Sequence, residues 1–195
     1  MIGIISLLLV AIVPAVNSLS KSSGRKAAIG NLLGVIEQAR GQAVKDGQPT
    51  YVVFPAQPIG GGGTISDPNI LARYFYHSVA IFEDDPTNPG TPKQITAWKI
   101  LPTGISLRSA ISFSPWTSNK FAFTPSGAGA TASFPFIKFN PNGEVESPTF
   151  APTVPVSLGV FEGFVNGTYE KPTNSNNFTE TINIARLTGR AEYTP

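Results

Sequence analysis

The first sixteen residues, Met1-Ile-Gly-Ile-Ile-Ser-Leu-Leu-Leu-Val-Ala-Ile-Val-Pro-Ala-Val16, carry no charged side chain, and none follows before Lys21. This run passes without a turn signal into a segment of helical periodicity, and that junction restricts the fold more than any other feature. Ile29, Leu32, Leu33, Ile36, Ala39, Ala43 and Val44 recur at spacings of three and four, which places them on one helix face, while Arg25, Lys26, Gln38 and Lys45 fall mostly elsewhere. Such a face needs a second layer, here a sheet, to cover it. Lys45-Asp-Gly-Gln-Pro49 supplies a cation, a glycine able to turn left-handed and a proline, so the helix is expected to stop near Asp46. Pro14 would kink the helix without ending it. Gly24, Gly30 and Gly34 each cost up to ~1 kcal/mol relative to Ala, a loss that close packing against neighbouring molecules would offset.

As a helix, the apolar run from Met1 to Val16 is about 24 Å long at ~1.5 Å per residue, short of the ~30 Å hydrocarbon core of a bilayer. A secretory signal should begin with basic residues, yet no Lys or Arg precedes the run, and Ala11, Ala15 and Ser18 make only a loose cleavage pattern. Both interpretations improve if apolar residues precede the given start, and the native start is expected upstream.

From Pro49 onward the pattern is that of short strands. Only 13% of the 195 residues are charged, while 19 Gly and 18 Pro imply many turns, and 41% hydrophobic content is enough for one core. Strands are expected at Tyr51-Val-Val-Phe54, Tyr74 to Phe82, Ile95 to Ile100, Ile105 to Phe113, Phe134 to Phe139, Val154 to Val165 and Thr181 to Ala185. Asn140-Pro-Asn-Gly143 is a turn signal. The fold class is therefore α+β: a long N-terminal helix, apolar then amphipathic, packed on an antiparallel β-sheet body. The net charge of +2 is concentrated in residues 21–46, leaving a body near neutrality and no broad basic surface for nucleic acid. Without cysteine there is no disulfide, thiolate metal site or Cys nucleophile.

Catalytic chemistry finds little support. His77 is the only histidine, so a His-rich metal site is excluded, and a Ser-His-Asp triad would have to be built on it. Its place in a strand pattern favours a hydrogen-bonded structural histidine. Glu83-Asp-Asp85 with Asn88 offers hard oxygen donors of the kind Ca²⁺ takes, although a solvated turn accounts for the same residues. Gly60-Gly-Gly-Gly63 lacks the Lys-Ser/Thr ending and following helix of a phosphate loop. No two carboxylates pair in a recognisable context, and no enzyme activity, metal or cofactor is expected. Asn166-Gly-Thr168 and Asn177-Phe-Thr179 fit the glycosylation pattern and indicate exposed loops.

Several segments resemble the type IV pilin superfamily, including the pseudopilins of type II secretion. Ile2 to Val16 is similar to the second part of a prepilin-type transmembrane helix, with Pro14 at the proline common in that family. Aligned on Pro14, Met1 falls roughly eight residues inside the usual mature N-terminus, and eight more residues at ~1.5 Å each would bring the helix to bilayer length. The basic leader, the Gly before the cleavage site, the mature Phe and the early Glu have no counterpart here. Phe136-Ile-Lys-Phe-Asn-Pro-Asn-Gly143 resembles a strand and turn of H-type minor pseudopilins. Ile182-Asn-Ile-Ala-Arg-Leu-Thr-Gly-Arg-Ala-Glu-Tyr193 is similar to their closing hairpin, with Thr188-Gly189 at its turn, and Arg40 falls where they have an Ala-Arg-x-x-Ala helix element. Trp98 and Leu101-Pro-Thr-Gly104 resemble the central strand and turn of verrucomicrobial prepilin cassette proteins.

The resemblance implies a structural, minor filament subunit. Residues 1–20 would be the transmembrane and filament-core segment, with Ile4, Ile5, Leu8, Leu9, Ile12 and Pro14 in the core, and residues 21–195 an extracytoplasmic body whose helix lays Ile29, Leu32, Leu33, Ile36 and Ala43 on the sheet. It implies a single-pass protein of the bacterial inner membrane, solvated by lipid before assembly, cleaved by a prepilin peptidase and extracted by an inner-membrane assembly platform into a filament of other pilin or pseudopilin subunits. The body would lie in the periplasm or in an extracellular filament, with the loops around 55–70, 84–94 and 114–133 as contact surfaces. A secreted β-rich binding module with a signal peptide cleaved near residues 15–20 is the competing class.

Overall fold

In the computed structural model, which describes residues 2–56, 65, 67–88, 91–112, 118–127, 129–149, 151, 153–166, 169–173 and 179–194 (the side chains of 2–22, 110, 112 and 118 excepted), the chain begins with α1 (Ile2–Asp46). The helix stops at its expected signal. Gly47 takes φ +66°, and its N–H donates to the Ala43 carbonyl at 3.0 Å. The chain continues through β1 (Thr50–Val53), α2 (Pro68–Tyr74), β2 (Ser78–Asp84), β3 (Pro92–Gln94), β4 (Lys99–Ile100), β5 (Ile105–Leu107), β6 (Ser118–Ala122), β7 (Thr131–Phe139), β8 (Val145–Ser147), β9 (Val156–Asn166), β10 (Tyr169–Pro172), β11 (Thr179–Ile184) and β12 (Ala191–Thr194).

Among the described residues these strands form two sheets. The first has the order β3-β2-β1-β7-β6, with β4 on β2 and β8 on β7; the second has β10-β9-β11-β12, with β5 on β9. All the pairings are antiparallel. Val52 on the central strand of the first sheet sits opposite Ile81 on one side and Ile137 on the other, and all three are buried.

The helix seals both sheets. Ala28, Ile29, Leu32, Val35, Ile36, Ala39 and Ala43 are all buried, a stripe that repeats at three and four residues. Thr50 Oγ1 donates to the Ala39 carbonyl at 2.7 Å, tying the first strand to the helix above it. The first sheet is filled by aromatic rings: the Trp98 ring lies 5.8 Å from Phe82, 5.3 Å from Phe123 and 6.0 Å from Phe134. Tilted and edge-on contacts of this kind each add about 0.5–1.5 kcal/mol beyond the area they bury. Under the second sheet lie Val156, Leu158, Val160, Ile182 and Ile184.

Several expected strands take a different form. Tyr74 ends a helix rather than starting a strand, because Asp67 caps α2 by accepting the Asn69 N–H at 2.9 Å and Pro68 occupies its first turn. His77 consequently lies in the turn before β2. Of the Ile95 to Ile100 segment only Lys99–Ile100 is strand, since Thr96 Oγ1 takes the Ile81 N–H at 2.9 Å in place of a ladder carbonyl. After β5 the chain coils into a 3₁₀ turn, Ser109–Ser112, instead of extending to Phe113. Val44 is 52% exposed despite its spacing, being one 100° step beyond the buried Ala43. The expected glycine loop at 60–63 lies outside the described residues.

Candidate assembly surface

In its described half, α1 presents two unlike faces. Ile29, Leu32, Ile36 and Ala43 point into the body and are buried, while Leu33 packs half-buried at the rim. Ile4, Ile5, Leu8, Leu9, Ile12 and Pro14 fall within the helix, but their side chains lie outside the described residues. On the opposite face Lys26, Ala27, Gly30, Gly34, Gln38 and Gly41 are exposed. A Cβ added at Gly30, Gly34 or Gly41 would meet nothing within 4 Å, so no contact inside the described body calls for glycine there. Glycine weakens an exposed helix, and a strip of it permits another helix to approach closely.

Polar contacts pin the helix to the body at two levels. Arg25 Nε lies 3.1 Å from Glu162 on β9, and its Nη1 lies 3.8 Å from Glu180 on β11. Further along, the Ala191 N–H donates to Glu37 Oε1 at 3.2 Å. Arg40 sits where two turns meet. Asn140 Oδ1 accepts the N–H groups of Asn142 and Glu144, both at 3.0 Å, closing the first turn, and Gly189 at φ +63° forms the second. A Cβ on Gly189 would stand 2.1 Å from the Gly143 carbonyl oxygen and 2.9 Å from Arg40 Cδ. The Arg40 element, the Asn140 to Gly143 turn and the Thr188-Gly189 turn, remote in sequence, are thus in direct contact. Sequence reasoning had Arg40 and both turns but not their meeting, nor the Arg25 pairs, which join residues more than 130 positions apart.

The titratable residues singled out from the sequence do not assemble into a reaction centre. His77 Nδ1 lies 2.8 Å from the Ile105 carbonyl oxygen and 3.3 Å from Ser106 Oγ, and burial lowers the imidazole pKa. Ser106 is buried and donates to the Gly163 carbonyl at 2.8 Å. Burial and the facing Asp46 carboxylate raise Glu83, whereas hydrogen bonds from Thr87 lower Asp85. The two carboxyls therefore stand in different electrostatic surroundings. Among the described residues no three His, Cys, Asp or Glu side chains gather as metal ligands, and no helix is long and apolar enough to cross a membrane.

A model of the family described as type II transport protein GspH matches residues 28–159, well over half of the chain. The type IV minor pilin FimU of Pseudomonas aeruginosa is similar in structure, at 12% identity over 90% of this chain and 91% of its own, with a TM-score of 0.45. The minor pseudopilin EpsH from the type 2 secretion system of Vibrio cholerae has 11% identity over 89% of this chain and 94% of its own, with a TM-score of 0.42. No curated relative matches by sequence.

Proposed function

Since the chain belongs to the type II transport protein GspH family, we propose from that premise how this subunit works. It is a minor pseudopilin, a structural component that assembles with other pilin-type subunits. The observation that carries the proposal is the division of α1: one face is sealed into the β body, and the other offers Gly30, Gly34 and Gly41 with no partner inside the described chain. The inner face holds the body together, and the outer face is where a neighbouring subunit's helix packs.

On this proposal residues 1–20 anchor the subunit in the bacterial inner membrane and later join the filament core, with residues 21–195 on the extracytoplasmic side. Ile4, Ile5, Leu8, Leu9, Ile12 and Pro14 would exchange lipid for neighbouring helices. Burial of a Leu or Ile yields about 1.5–3 kcal/mol relative to water, but lipid is nearly as apolar as a helix bundle. Extraction therefore needs work from an assembly platform, after a prepilin peptidase has processed the subunit.

The test is mass spectrometry of the native N-terminus in membrane and sheared-filament fractions of cells carrying the complete gene. A methylated, peptidase-dependent terminus in both fractions is expected. A terminus near residues 15–20 in the soluble fraction would overturn the proposal in favour of a secreted binding module.

A further inference from the structure

The second sheet runs alongside α1 in a measurable register. Glu37 meets Ala191, which pairs with Ile184, which pairs with Val156, so Glu37 marks the start of β9. Arg25 marks Glu162 on the same strand. Twelve helix residues therefore match six strand residues, about 18 Å against about 20 Å at the standard rises, so β9 runs antiparallel to the helix and close to its axis. Asn166 lies four strand residues beyond Glu162, about 13 Å, which is the rise of about nine helix residues. Asn166 thus reaches the level of residues 16–17, where the apolar run of the sequence ends.

Strand pairing decides which side chains look toward the helix. Val156, Leu158 and Val160 are buried beneath it, and Glu162 pairs with Arg25. Phe164 and Asn166 continue that face in steps of two, with Lys171 opposite Phe164 and Tyr169 opposite Asn166. On this face burial ends at Glu162, although Gly163 and Val165 on the other face stay buried or half-buried: Phe164 is 55% exposed and Tyr169 74% exposed, with Lys171 also exposed. Two aromatic rings and a cation share one face at the height where the helix loses its charges. That is the chemistry of a water–lipid boundary, where rings lodge among head groups and an ammonium meets phosphate.

We propose that Phe164, Tyr169 and Lys171 form a second membrane contact, on an anionic phospholipid surface, so that the inserted subunit stands on the bilayer at both helix and hairpin. This rests on the membrane-anchored reading above. Two contacts fix the rotation of the body about the helix axis, which one helix alone leaves free.

The chain has no cysteine, so a bimane probe can be placed singly at Asn166→Cys or, at the far end of the sheet, at Leu187→Cys. The full chain with its native N-terminus is inserted into vesicles of phosphatidylethanolamine and phosphatidylglycerol, about three to one, carrying a shallow nitroxide lipid. Quenching at position 166 should exceed that at 187 by about threefold or more, and Phe164→Ser with Tyr169→Ser should remove most of the excess. Both serines replace exposed side chains, and unchanged thermal unfolding verifies the fold. Equal quenching at the two positions, an excess that survives the double substitution, or probe-to-probe contact between subunits in place of quenching would each overturn the proposal. A chain that alkaline carbonate strips from the vesicles overturns the anchoring reading as well, whereas retention without quenching overturns the hairpin contact alone.

Discussion

Gly189 is the residue on which the closing hairpin turns. Its φ is +63°, and a Cβ added there would stand only 2.1 Å from the Gly143 carbonyl oxygen, which leaves no room for a side chain. Gly189→Ala should cost about 2–4 kcal/mol in chemical denaturation, combining left-handed strain with displacement of a neighbouring turn. Glu83 acts through charge instead. Its carboxyl is raised by burial and by Asp46, so the folded state holds a proton more tightly than the unfolded chain. Stability contributed by that proton is present at acid pH and is lost as pH rises through the raised value. Glu83→Gln should flatten this part of the pH–stability profile and raise the melting temperature at neutral pH; an unchanged profile would show that the Asp46 contact is solvated away.

At the scale of elements, α1 keeps folding and assembly on separate faces. Gly34→Ala should stabilise the isolated chain by up to about 1 kcal/mol, because it strengthens an exposed helix interior. Gly34→Leu should keep most of that gain in thermal unfolding of the isolated chain while sharply reducing recovery in sheared filaments, since a bulky side chain blocks close helix approach. Losing stability together with assembly would instead place Gly34 within the body's own packing. The helix and its stop signal were legible in the sequence because the apolar spacing and the Lys45-Asp-Gly-Gln-Pro49 ending act locally. α2 was legible in principle, through Asp67-Pro68, but the aromatic run Tyr74 to Phe82 outweighed that signal. Strands β6, β8 and β10 carry little periodicity of their own and are specified by β7 and β9, which they pair.

Across the whole molecule, the helix is coupled to the body by Arg25 at one level and by Glu37 and Arg40 at another. Arg25→Ala leaves Glu162 and Glu180 facing one another without their cation. Because these groups are partly solvated, the effect should be local: amide exchange over residues 23–30 and at the Glu162 end of β9 should rise by up to about tenfold, with little change in β1, β2 and β7. Uniform acceleration would mean that the pair supports global stability. Such long-range pairs were invisible in the sequence, where a lone Arg beside Lys26 reads as a solvated face, whereas the Arg40 element and the two turns were visible singly.

The side-by-side run of α1 and β9 also separates two kinds of change in length. Inserting one residue in the helix between Arg25 and Glu37 would advance it by about 1.5 Å and swing everything beyond it by about 100°, breaking the anchors at both levels. Adding two residues to each arm of the β9–β10 hairpin would extend its tip by about 6.6 Å and leave every side chain on its original face. The fold therefore tolerates a taller or shorter body far more readily than a twisted one, and variation in reach among such subunits should accumulate in the hairpin while the helical interval between Arg25 and Glu37 keeps its length.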